Sequence, residues 1–381
     1  MAAYDVDRLR REEFPWAPAG EAVYLDAAST GPLPERTLRA QAEFSHKRAA
    51  PHRLSHDEQF AVLDRCRALI AELVGAEEGT IALSVNTGAG INLAAWGLPL
   101  GAGSVVVLPD REFPANVYPW MAAAKVREYD VRLVPARDGL LDEEAVFAAL
   151  DEPGTRVLSL SWVAFSTGFV ADLQRLSDAC RARDVWLVVD AIQGVGVLPL
   201  DVGRTRVDLL ACGGQKWLLS PWGSGFTYVH PAMLDALVPQ PVSWMGVRGS
   251  DDFSSLVDYD LTWRDGARRF EQITVPFQDF AGMAASLELL RELGHAAVRA
   301  HVGARVEELA GGASAAGIDV VTPARRRAGI VTVRPRDVST ASARLRDARV
   351  IHSVREGTIR LSPHCYTTSD EVRVALDALR G

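Results

Sequence analysis

The strongest constraint on this chain is a set of short, nearly continuous apolar runs. They are SVVVLPD (Ser104 to Asp110), VRLVPA (Val131 to Ala136), RVLSLSWV (Arg156 to Val163), VWLVVD (Val185 to Asp190), DLLAC (Asp208 to Cys212) and GFTYV (Gly225 to Val229). A strand with one wet face alternates polar and apolar residues, so these runs read as strands buried on both faces. Helical patterns separate several of them, as in DLQRLSDACRARD from Asp172, and the amphipathic FAVLDRCRALIAELVG from Phe60 precedes them. Buried strands joined by helices imply an α/β fold, a mostly parallel central sheet flanked by helices. After about Asp265 the texture changes. A long helical pattern, FAGMAASLELLRELG from Phe280, leads into short strands and helices, with a capping box offered by Thr368 and Glu371. The expected organisation is an N-terminal segment (1–20) packing on the small domain, a large domain (21–265), and a long helix with a smaller C-terminal α+β domain (266–381).

With 381 residues and 48% hydrophobic content the chain can bury a large core. Its formal net charge of −8 and the lack of a basic stripe argue against a nucleic-acid partner. The arginine run from Ala324 to Arg327 reads as a solvated loop. The start, MAAYDVDRLRREEF, is charged and carries no secretory signal, and no apolar run is long enough to span a bilayer, so no membrane partner is expected. Cys66, Cys180, Cys212 and Cys365 are scattered without metal-ligand spacing. That pattern fits reduced thiols and a cytoplasmic protein.

In open α/β sheets ligands sit beyond the carboxyl ends of the strands. Four segments qualify: Asn86 to Asn92, Asp110 to Asn116, Asp190 to Gln193 and Gly213 to Lys216. Lys216 stands out, because the only other lysines are Lys47 and Lys125 and, Gln215 apart, its near neighbours are apolar or glycine. Burying an unpaired ammonium costs on the order of several kcal/mol, so this lysine is compensated, neutral or covalently used. Asp190 closes an apolar strand and by itself reads better as a helix N-cap or a structural ion pair. Together the two are what pyridoxal phosphate needs: an amine for the Schiff base and an acid to keep the pyridine nitrogen protonated. SVNTGAGINLAAWG adds Thr87, Gly88 and Gly90 at a helix start, a ready site for the phosphate. A rival reading takes Gly88, Gly90 and, about 20 residues on, Asp110 as the dinucleotide fingerprint of a nicotinamide-dependent oxidoreductase. Leu93 stands where its third glycine belongs, and Lys216 is left without a task.

The segment VVDAIQGVGVLPLDVGRTRVDLLACGGQKWLLSPWGSGFTYV closely resembles the aspartate-to-lysine region of the class V aminotransferase family. These are fold type I pyridoxal-phosphate enzymes, among them cysteine desulfurases, selenocysteine lyases, isopenicillin N epimerase and kynureninase. The resemblance covers nearly the whole chain. YLDAASTGPLP from Tyr24 is similar to the family's opening strand, HRLSH from His52 to the HRxxH of desulfurases, REFPANVYPW to EHHANxxPW, RRFEQIT to RFExGT, and IRLSPHCYTT to RxSxxxYNT. It implies that Lys216 carries the cofactor, Asp190 pairs with the pyridine nitrogen and Gln193 bonds the ring hydroxyl or Schiff-base region. It further implies that Thr87, the Gly88 backbone and Gln215 hold the phosphate, with Thr274 reaching the phosphate of the other subunit of a homodimer whose active sites lie at the interface. Arg360 would grip the carboxylate of a small amino-acid substrate, and His52 and Arg53 would border its pocket. The chemistry implied is Cα deprotonation leading to transamination or β-elimination, with epimerisation as the alternative.

Two departures narrow the resemblance. Phe113 stands where desulfurases stack a histidine, and phenylalanine can stack but cannot shuttle a proton. Where desulfurases place a nucleophilic cysteine, VIHSVREGTIR has none; Cys365, five residues after Arg360, reads better as a small buried residue. Gln193 and Gln215 likewise replace the histidine and tyrosine of kynureninase.

Overall fold

A computed structural model describes residues 4–380. A short strand β1 (Val23–Tyr24) precedes seven strands that form the central sheet: β2 (Ile81–Ser84), β3 (Val105–Pro109), β4 (Asp130–Val134), β5 (Thr155–Ser161), β6 (Trp186–Asp190), β7 (Leu209–Gly213) and β8 (Gly225–Val229). Their order is β2-β8-β7-β6-β5-β3-β4, and only β8 runs against the rest. The doubly apolar runs have the expected cause. Val106, Leu108, Val157, Val188 and Leu209 pack on one face with Ile91, Ala94 and Trp120 of the helices Thr87–Gly97 and Tyr118–Arg127. Val107, Leu158, Leu187, Val189 and Leu210 pack on the other with residues of the helices His56–Val74, Leu173–Arg181 and Phe277–Leu293. Fully burying one such side chain stabilises the fold by about 1.5–3 kcal/mol.

One strand expectation needs correction. VRLVPA forms β4, but as the last strand of the sheet it is largely exposed, with Leu133 42% accessible. Its valines and leucine read as buried because composition does not reveal which strand lacks a neighbour. The opening strand β1 overlaps the YLDAAST segment at Tyr24 and pairs in parallel with β11 (Val350–Ile351), far along the chain.

The helix starts follow their local chemistry. Ser55 and Glu58 form a reciprocal capping box ahead of His56–Val74, and Asp172 accepts from the Arg175 N–H ahead of Leu173–Arg181. Thr368 and Glu371 bond reciprocally before the helix Ser369–Arg380, as their spacing predicts. The helices Phe277–Leu293 and His295–Ala315 lead to an antiparallel sheet ordered β12-β13-β10-β9, made of β9 (Asp319–Val320), β10 (Val331–Arg334), β12 (Ser353–Arg355) and β13 (Thr358–Leu361). The N-terminal helix Val6–Glu13 reaches the same region, where Arg10 donates to the Tyr366 carbonyl and pairs with Glu371 at 2.8 Å. No helix among the described residues is long and apolar enough to cross a membrane.

Candidate active site

Residues that follow β2, β3, β5, β6 and β7 line one cavity of about 500 Å³, because those strands point the same way. Beyond β2, Asn86 caps the helix Thr87–Gly97 by accepting from the Ala89 N–H at 2.9 Å. Thr87 and Gly88 in the first turn line the cavity, where helix N–H groups lack intrahelical partners. The Thr87 hydroxyl oxygen accepts from the Gly213 N–H at 2.9 Å and so ties this helix start to the end of β7, three residues before Lys216.

The dinucleotide fingerprint comes apart here. A Cβ on Gly90 would lie 2.5 Å from the Thr227 hydroxyl and 2.7 Å from the Ala211 methyl, so this glycine serves helix-on-sheet packing. Asp110 is exposed, accepts from the Ala136 N–H at 3.0 Å beside β4, and does not line the cavity.

The loop after β3 is fastened at both ends. Glu112 accepts from the Ser161 N–H (2.9 Å), the Ser161 hydroxyl (2.5 Å) and the Asn116 amide (2.9 Å), while the Ser159 hydroxyl donates to the Asn116 oxygen at 2.7 Å. Burial pushes the Glu112 carboxyl up to about 7, against those hydrogen bonds. Between the fastenings Phe113 is held at the cavity, edge-on to Phe165 at 5.3 Å and with the Lys216 Nζ 5.7 Å from its ring centroid. Sequence reasoning placed Glu112 and Asn116 in a strand-end segment but gave neither a task. The signal was present in β5, where Ser159 and Ser161 point to one face of an otherwise apolar strand.

Asp190 ends β6 at 3% exposure, and its Oδ1 accepts from the Ile192 N–H at 3.0 Å. Its second oxygen has no partner among the described residues. Burial pushes this carboxyl up to about 6, opposed by the Ile192 hydrogen bond and the Lys216 charge. Lys216, past the end of β7, lines the cavity half-buried and makes no ion pair among the described residues. Burial brings its amine down to about 8; the Asp190 charge opposes that fall and the Arg360 guanidinium adds to it. Gln193 and Gln215 complete this wall, and the Gln215 carbonyl accepts from the Gly31 N–H at 2.8 Å.

Arg360 is 2% exposed, which excludes a surface ion pair. It donates to the Phe165 carbonyl (2.8 Å) and the Ser29 hydroxyl (2.7 Å), with Asp26 behind it at 3.4 Å, and its Nε is buried without a partner among the described residues. Ser29 and Arg355, which sequence reasoning did not single out, also line the cavity. Three expected site residues stand elsewhere in this chain. His52 and Arg53 lie exposed on the turn Pro51–Arg53, and Thr274 is exposed on a second cavity beside β2, together with Gln240 and Gln272. Cys365 is fully buried, with its carbonyl accepting from the Tyr4 hydroxyl at 2.9 Å, and burial pushes its thiol far up. No cysteine lines the main cavity.

The sequence profile of the family described as aminotransferase class-V matches residues 23–374. The chain is 30% identical over 310 residues to the uncharacterized aminotransferase YcbU of Bacillus subtilis (strain 168), covering 81% of this chain and 80% of that one. It is 30% identical over 387 residues to the isopenicillin N epimerase of Streptomyces clavuligerus, covering 94% and 95%. Among solved structures, a lysine-to-alanine mutant of C-DES with glycine covalently linked to its PLP cofactor aligns at a TM-score of 0.88 and 25% identity, over 97% of this chain and 98% of that one. The cystine C-S lyase C-DES in complex with its reaction product, cysteine persulfide, aligns at 0.86 and 26% identity, over 96% and 98%.

Proposed function

The chain belongs to the class-V aminotransferase family and is a pyridoxal-phosphate-dependent enzyme, and from that premise we propose that it removes the Cα proton of a small α-amino acid and goes on to β-elimination or transamination. The observation that carries this reading is a pair at the ends of adjacent strands in one cavity: among the described residues, an amine without an ion pair, Lys216, and a buried carboxylate with one oxygen free, Asp190. The rest of the cavity fits the cofactor in kind. It has a helix N-terminus for a phosphate, an aromatic ring for a planar ring, and a buried guanidinium with a donor to spare.

Bound pyridoxal phosphate supplies an electron sink for the pair left behind when the Cα proton departs. Thr87, the Gly88 backbone and Gln215 would hold its phosphate, and Asp190 would keep the proton on its pyridine nitrogen. Gln193 would serve the ring hydroxyl, and Phe113 would lie against the ring. Lys216 anchors the cofactor and then carries the Cα proton, a task suited to an amine brought down to about 8. Arg360, whose guanidinium lines the cavity, takes the substrate carboxylate. β-Elimination draws support from the likeness to a C-S lyase and from the lack of a cavity cysteine to receive sulfur. Thr274, His52 and Arg53 join the site if two copies pair so that each supplies them to the other. The domain division this reading uses is 1–20, 21–265 and 266–381.

Borohydride reduction of the protein loaded with pyridoxal phosphate, followed by peptide mass analysis, tests the premise. The reduced cofactor is expected on the peptide containing Lys216 and on neither Lys47 nor Lys125; any other distribution overturns the assignment. With candidate amino acids, 2-oxo acid plus ammonia without an added acceptor marks elimination, and an absolute need for an acceptor marks transamination. Arg360→Lys is expected to raise KM for the substrate by about 10–100-fold, because an ammonium cannot reproduce a bidentate guanidinium contact. An unchanged KM removes Arg360 from the carboxylate site.

A further inference from the structure

We propose that Trp217 is a positioning residue that fixes the Gln193 amide with its nitrogen toward the cofactor cavity, and that the segment carrying His364 holds Trp217 in place to do so. This rests on the reading above, in which Gln193 faces the ring of bound pyridoxal phosphate.

The orientation of Gln193 follows from partners that each allow one role. Its Oε1 accepts from the Trp217 indole N–H at 2.8 Å, and an indole nitrogen can only donate. Its Nε2 donates to the Ala28 carbonyl at 2.9 Å, and a carbonyl can only accept. Reversing the amide would set donor against donor and acceptor against acceptor at a side chain only 2% exposed. Ala28 lines the cavity and Trp217 does not, so the nitrogen is the end at the cavity wall. It still carries a second N–H.

Trp217 is itself closely held. A methyl group on Gly329 would stand 2.2 Å from the indole ring, so that glycine makes room for it. The His364 ring stacks on the indole at 5.4 Å and 23°, and its Nε2 donates to the Trp217 carbonyl at 3.1 Å. The His364 Nδ1 accepts from the Cys365 N–H at 2.7 Å, which places the ring proton on Nε2. Burial pulls this imidazole down to about 4 and keeps it neutral. A chain of single-role contacts therefore runs from the strand-end residues after β13, through Trp217, to an N–H at the cofactor wall.

A donor to the ring oxygen of the cofactor weakens that oxygen's hold on the proton it shares with the linked Lys216 nitrogen, and so lowers the pH at which that proton is lost. The experiment follows the pH midpoint of the near-violet absorbance change in the pyridoxal-phosphate-loaded wild type, Trp217→Phe, Gln193→Ala and the double variant, with thermal stability recorded beside it. Both single variants are expected to raise the midpoint by about one pH unit. The double variant is expected to raise it no further. If Trp217→Phe shifts the midpoint as much in the Gln193→Ala background as in the wild type, or only lowers stability, the positioning role is overturned. If the loaded wild type shows no near-violet band, the cofactor reading fails and takes the proposal with it. If the band is present but Gln193→Ala leaves its midpoint unmoved, the proposal fails alone.

Discussion

Asp190→Asn is expected to cost the enzyme about a thousandfold or more in turnover, roughly 4 kcal/mol of barrier, while making the cofactor-free chain more stable at neutral pH. The two effects share one cause. In the folded chain the Asp190 carboxyl is pushed from its ordinary 3.8 up to about 6 by burial, so the folded state holds this proton more tightly than the unfolded state does. Between those two values raising the pH strips the proton first from the unfolded chain, and stability falls with pH across that window. Above it, the ionised carboxylate sits in the fold at a cost on the order of 2–3 kcal/mol. Asparagine cannot ionise, and its oxygen can still accept from the Ile192 N–H. Urea unfolding of cofactor-free protein should therefore favour Asp190→Asn by about 2 kcal/mol near pH 7.5 and show little difference near pH 4. The same substitution leaves the pyridine nitrogen without an acid to hold its proton. A variant less stable than wild type at pH 7.5 would mean that the free carboxylate oxygen is satisfied in the cofactor-free protein and not kept in waiting.

What the sequence made legible follows from which interactions are local. The apolar runs announced the central sheet because burial on both faces leaves a mark at every position, and the parallel direction then gathered the strand ends carrying Thr87, Phe113, Asp190 and Lys216. Edge status leaves no such mark, which is why β4 looked buried. Partners far apart in the chain were equally hidden. Ser29 meets Arg360 across 331 positions, and His364 meets Trp217 across 147. Neither contact has a period or a spacing that could disclose it. The RRFEQIT segment is the sharpest instance: the family signature attached a task to its Thr274 alone, and its glutamate has a large one.

Glu271→Ala is expected to destabilise the chain by about 3–5 kcal/mol, because it breaks a buried ion pair and strands both groups that depend on it. The Glu271 carboxylate accepts from the Arg67 Nε at 2.8 Å and Nη2 at 2.6 Å, with both side chains 4% exposed, and also from the Leu83 N–H at 2.9 Å. Leu83 lies on β2, the edge strand at the other end of the sheet from β4, and an edge N–H buried without an acceptor carries its own penalty. Alanine leaves a guanidinium and an edge amide unmet at once. Glu271→Gln separates the two contributions, since its oxygen can still serve Leu83 while the charge opposite Arg67 is gone. A glutamine variant close to alanine in urea unfolding assigns the loss to the ion pair; one nearer wild type assigns it to the strand edge. A loss under about 1 kcal/mol for alanine would mean that Arg67 re-pairs, with Asp64 as the acid already in contact at 2.5 Å. The consequence reaches the cavity. β2 ends two residues before Asn86, so loosening its edge loosens the helix start that carries Thr87 and Gly88, and pyridoxal-phosphate affinity is expected to fall together with stability.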